Sequence, residues 1–172
     1  MMQALQSQPN TGPVIFLPNV VSPAATIEER AKQLTENLRK KRRSIANCPR
    51  MHLITHSFAG IDARAALSLH GADKSVQSLT TIATPHTGMR LIQNMRDRVG
   101  QQDMRFLEKS FAVVGLGVKN VNEFQQRNLD DFNLVAEDSH RVKYFSFGTK
   151  KREMQLSELL RKGFEIITEH KI

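Results

Sequence analysis

Short apolar runs alternate with stretches of helical period along this chain, and that alternation narrows the architecture more than any other feature. Val14–Leu17 lies between Pro13 and Pro18, Met51–Ile54 follows Pro49, Val76–Ala83 alternates, and Val142–Phe147 ends at Gly148. Runs of this length bounded by breakers predict strands. Thr26 and Glu29 stand at capping-box spacing, where Thr accepts from the third helical amide and Glu reaches back. Ile27, Ala31, Leu34 and Leu38 then recur at helical spacing, so one face is buried while the helix passes through Arg39-Lys40-Lys41-Arg42-Arg43 and stops before Pro49. Ala59–Leu69 is rich in good helix formers and closes at Gly71. Strand and helix in that order predict an α/β domain with a mostly parallel sheet of about four strands, flanked by helices.

Residues 1–12 read as a flexible polar leader and 13–172 as a single domain. Within it, 89–133 shows no strand pattern and reads as a helical insertion, with helices near 91–98, 103–111 and 121–132. The stretch 111–118 is apolar but broken by glycines, and a last helix is expected over about 153–168.

Composition removes several classes of protein. At 40% hydrophobic and 24% charged residues the chain is an ordinary globular one. No stretch approaches the roughly 18 apolar residues of a membrane span. The first residues lack a charged region followed by an apolar one, so no signal peptide is expected and the location expected is cytoplasmic. The single cysteine, Cys48, excludes an internal disulfide and a paired-cysteine zinc or redox motif. No His, Cys, Asp or Glu pair has ligand spacing, so neither a metal nor another cofactor is expected. The formal charge is +8, concentrated at 39–43, 150–152 and 161–162. Those clusters read first as solvated helix faces and second as a surface for anionic membrane. With 6% aromatic residues, no Trp and no aromatic interleaving, a stacking platform for nucleic acid is not expected.

The segment that carries chemistry is Met51-His52-Leu53-Ile54-Thr55-His56-Ser57-Phe58-Ala59-Gly60. A strand runs into a serine with small residues, Thr55 and Ala59, two positions to either side, and a helix begins at once. A nucleophile elbow requires this context, because its tight turn lifts the serine to the end of the sheet and tolerates only small neighbours. The G-x-S-x-G pattern is present in relaxed form, with Thr55 and Ala59 for the two glycines.

These residues resemble the bacterial-type triacylglycerol lipases of the α/β-hydrolase superfamily and their eukaryotic relatives. The resemblance rests on Val21-Ser22-Pro23, Ile27-Glu28-Glu29-Arg30-Ala31, Thr55–Gly60 and, most specifically, Thr80-Thr81-Ile82-Ala83-Thr84-Pro85-His86-Thr87-Gly88. Phe132-Asn133 and Tyr144–Gly148 also fit, so the similarity covers most of 14–168. It implies a partial α/β-hydrolase fold in which 89–133 corresponds to a lid-like helical region. It implies a carboxylic ester hydrolase with Ser57 as nucleophile, the Phe58 amide as an oxyanion donor, and a lipid or small ester as substrate. His56 and His86 are the candidate substrate contacts, with packing and a loop-shaping hydrogen bond as their structural alternatives.

The chain departs from the family in three respects. Little sequence precedes Ser57, and a second oxyanion donor is not visible there. The family's acid and histidine lie on loops beyond the corresponding end of this chain. Asp138 with His140, and Glu153 with His170, are poorly placed substitutes. A chain shortened at both ends is therefore expected, with apolar sheet edges that favour self-association. A lipase-derived fragment or interaction protein without catalysis is the alternative function.

Overall fold

The computed structural model describes residues 15, 25–45, 48, 50–88, 123 and 126–149. The elements in chain order are α1 (Ile27–Ser44), β1 (Met51–His56), α2 (Ala59–Leu69), a short 3₁₀ turn (Ala72–Lys74), β2 (Val76–Ile82), α3 (Gln126–Val135) and β3 (Lys143–Phe147). The three strands form one parallel sheet in the order β1-β2-β3, with Leu53 beside Leu79 and Leu79 beside Tyr144. Parallel neighbours need long crossovers, which α2 supplies between β1 and β2 and the chain containing α3 supplies between β2 and β3. Strands expected at 14–17 and helices expected at 91–98, 103–111 and 153–168 lie outside the described residues, apart from Ile15.

The capping box forms as its spacing requires. Thr26 Oγ1 accepts from the Glu29 amide at 3.2 Å, and the Glu29 carboxylate accepts from the Thr26 amide at 2.7 Å. Ala31 and Leu38 are fully buried, with Ile27 and Leu34 packed beside them. The α2 helix buries Ala63, Ala65, Ala66 and Leu67, and its small side chains let α1 and the sheet approach closely. Val76, Leu79 and Val142 complete this core from the sheet.

The Met51–Ile54 run, which the sequence predicts as a buried strand, is buried on one face only: Met51, Leu53 and Thr55 turn inward, while His52, Ile54 and His56 are exposed. Burial on one face makes the strand alternate, as a period of two demands. The helix expected at 121–132 is described at Glu123 and over Gln126–Val135, three residues past the expected end, and Leu129 and Phe132 turn toward the interior. Leu134, Val135, Phe145 and Phe147 are exposed.

One charged pair is built into the helix interface. Arg30 Nε of α1 contacts both Asp62 carboxylate oxygens of α2, at 2.9 and 3.0 Å, and both side chains are buried. Its guanidinium also lies 3.7 Å from Glu123, whose carboxylate accepts from the Ile27 amide at 3.0 Å at the start of α1. A carboxylate there complements the positive helix end.

Candidate active site

The site grows from the way β1 and β2 end. Ser57 follows β1 with φ +57, a left-handed conformation rare for a residue with a side chain, and α2 starts two residues later. Such a conformation costs on the order of 1–2 kcal/mol and persists where the surroundings over-determine it. Here both backbone groups of Ser57 are fastened. Its amide donates to the Ile82 carbonyl at 2.9 Å, and its carbonyl accepts from the Gly60 amide at 3.1 Å. The Thr84 hydroxyl donates to the same carbonyl at 2.8 Å. The parallel β2 strand leaves through a second left-handed residue, Ala83 at φ +51, whose amide donates to the Phe147 carbonyl. Ser57 and the loop 83–88 thus meet at the carboxyl ends of the strands, where ligands bind in open α/β sheets.

Gly60 is the position that lets these two segments meet. A Cβ added there would lie 2.3 Å from Thr84 Oγ1 and 2.7 Å from Thr84 Cγ2. The sequence reading looked for small residues at 55 and 59, whereas the tightest approach is at 60. The glycine itself was the available signal.

The histidines are placed as follows. His56 ends β1 and is exposed. His86 is half-buried, with Nε2 3.0 Å from Thr81 Oγ1 and its carbonyl accepting from Asn133 Nδ2 at 2.9 Å. Asn133 Oδ1 in turn accepts from Arg64 at 2.7 Å, and Arg64 lies 5.6 Å over the Phe132 ring. This chain of contacts ties the loop 83–88 to α2 and α3, and sequence reasoning missed it. His52 Nδ1 lies 2.7 Å from Ser78 Oγ across the sheet. Asp138 pairs with Arg64 at 3.3 Å, and His140 is exposed. No histidine ring among the described residues is bonded to Ser57, and none of their His, Cys, Asp and Glu side chains cluster as a metal site. Glu153 and His170 lie outside the described residues.

Burial, with a smaller contribution from the Arg64 charge, lowers the His86 value below the ordinary 6.5, while Asp138 acts weakly in the opposite sense. The folded chain therefore favours the neutral ring. Between the lowered folded value and 6.5, the unfolded chain binds more protons, so stability rises with pH through that window and falls as pH drops through it. Urea midpoints at about pH 5 and about pH 7.5 are expected to differ more for the wild type than for His86→Gln. Equal differences for the two would contradict this.

No protein-family model matches the chain. Triacylglycerol lipase 2 of Saccharomyces cerevisiae is 31% identical over 127 residues, which cover 72% of this chain and 37% of that relative. Lipase BlEst2 of Bacillus licheniformis in its mature form superposes with a TM-score of 0.56 at 23% identity, over 70% of this chain and 46% of that one. The metagenomic carboxyl esterase MGS0156 superposes with a TM-score of 0.68 at 16% identity, over 88% and 45%. The chain thus spans less than half the length of each of these proteins. Among the described residues no helix is long and apolar enough to cross a membrane. The parallel sheet agrees with the solved lipase and esterase folds, and the yeast relative matches in sequence over most of the chain. Taken together, these show a chain similar in sequence to a triacylglycerol lipase over most of its length, with the partial α/β fold of solved lipases and esterases.

Proposed function

We propose that this chain carries the nucleophile half of a lipase-type serine ester hydrolase, acting on acylglycerols or other carboxylic esters. The observation that supports it is the left-handed Ser57 between β1 and α2. A serine held this way presents its hydroxyl at the end of the sheet, beside the positive first turn of a helix. In this reading Ser57 Oγ attacks the ester carbonyl carbon and a base takes the hydroxyl proton. The Phe58 amide, at the N-cap of α2, donates to the oxyanion as the tetrahedral intermediate forms. Collapse expels the alcohol, which takes up the proton, and water then releases the acid by the same steps in reverse. His56 and His86 stand at the strand ends as the nearest candidates to touch the substrate.

The named relatives support an ester as the substrate class: one is called a triacylglycerol lipase and another a carboxyl esterase. The test is hydrolysis of a short p-nitrophenyl ester by the folded chain and by Ser57→Ala. Loss of turnover to background in the variant is expected; equal turnover in both would overturn the reading.

One observation favours a second reading, a lipase-derived interaction protein without catalysis. The described histidine rings with side-chain partners are engaged with Ser78 and Thr81 rather than with Ser57. A folded wild-type chain with no turnover on the ester would favour it.

A further inference from the structure

A concave site lies at the end of the sheet opposite Ser57. A cleft of about 510 Å³ opens where α1 ends, α2 turns at Gly71 and β2 begins. Its wall carries Arg39, Arg42, Arg43 and Lys74 with Ser75, and among the described residues no carboxylate lines it. The neighbouring Asp73 is turned away, accepting from Ser139 Oγ at 3.0 Å and lying 4.0 Å from Arg141. The strand β1 separates this cleft from Ser57 by roughly 20 Å, at about 3.3 Å per residue.

Helix ends explain part of this cluster. Cations favour the negative carboxyl end of α1. Arg39 Nη2 donates to the His70 carbonyl at 3.1 Å, and Arg42 Nη1 faces the Lys74 carbonyl at 3.2 Å and Ser75 Oγ at 3.3 Å. Each guanidinium has five N–H donors, so these bonds fix its position and leave most of its donors for another acceptor. The side chains of Arg43 and Lys74 are exposed and form no hydrogen bond or ion pair among the described residues. Two anchored guanidiniums and two unengaged cations around one cleft make an acceptor for a compact dianion. Arginine matches phosphate oxygens in a planar fork.

We infer that the cleft formed by Arg39, Arg42, Arg43 and Lys74 binds a phosphate monoester, independently of the chemistry at Ser57. The group is either a free phosphorylated metabolite or the headgroup of an anionic lipid. Two probes separate these sources: soluble glycerol 3-phosphate, and phosphatidylcholine vesicles containing phosphatidic acid. Vesicles with phosphatidylserine at equal charge serve as the comparison.

The variant is Arg43→Gln with Lys74→Gln, which removes no structural bond. The control is Lys32→Gln with Lys143→Gln, two exposed lysines elsewhere. A cation near an anionic surface is worth roughly fivefold in binding, so the variant is expected to weaken phosphatidic acid binding about twenty-five-fold. The control is expected to change it by less than about fivefold, since its lysines lie outside the cleft. Binding of both probes supports a site open to free phosphate esters, and binding of vesicles alone supports a lipid headgroup. Equal affinity for the two anionic lipids, an equal loss in variant and control, or no binding of either probe would overturn the inference.

Discussion

Replacing Gly60 with alanine is expected to lower the unfolding free energy by about 2–4 kcal/mol, combining overpacking with a lost hydrogen bond. The new methyl would occupy space held by Thr84, whose Oγ1 is 2.3 Å from the Cβ position. Thr84 cannot withdraw without releasing the Ser57 carbonyl, which its hydroxyl holds at 2.8 Å. Both the clash and the lost bond act on the turn that keeps Ser57 left-handed. The pair should therefore couple. Gly60→Ala made in a Thr84→Ala background is expected to cost at least about 1 kcal/mol less than it does alone. Chemical denaturation of the four chains measures this. Strict additivity would mean that the two residues do not meet as described.

Removing Arg30 should cost more. Arg30→Met leaves the Asp62 carboxylate 3% exposed between two helices, and breaking a buried pair from one side costs about 3–5 kcal/mol. Burial already pushes the Asp62 carboxyl above its ordinary value, and the Arg30 guanidinium opposes that shift. Without Arg30 the carboxyl rises further and takes up a proton more readily. The destabilisation should then shrink as pH falls, because a neutral carboxyl is cheaper to bury than a carboxylate. The double change Arg30→Met with Asp62→Leu should recover most of the loss, since a buried pair can often be exchanged for apolar residues without penalty. Urea denaturation at about neutral pH and at about pH 4 tests both statements. A loss below about 1 kcal/mol for Arg30→Met would contradict the pairing.

The contrast between these two contacts and the rest of the fold shows what a linear sequence exposes. The capping box at Thr26 and Glu29, and the helix Ala59–Leu69, were legible because local spacing decides them. The β1 strand continues two residues past the apolar run, to His56, because its ladder with β2 runs on to Ile82. Hydrophobicity alone does not record that pairing. The helix expected at 121–132 continues to Val135, because its burial depends on distant partners such as Arg64 that no local period records.

The turn at Ser57 was legible as a type of turn, from a strand, a serine and small neighbours. Its fastening was not, because Thr84 and Gly60 meet through the sheet and no periodicity links them. Arg30 offered an unused clue. It lies three residues after Ile27 and one before Ala31, on the apolar face of α1, where a charge needs a buried partner.

The elbow at Ser57 is the centre of this account, and reaction of the folded chain with a fluorophosphonate probe tests it most directly. The probe forms a bond to an activated serine oxygen and releases fluoride, so it reads the nucleophile without requiring turnover of an ester. Labelling of the wild-type chain that disappears in Ser57→Ala is the predicted result. No labelling of a chain shown by circular dichroism to be folded, or labelling that persists in Ser57→Ala, would contradict it.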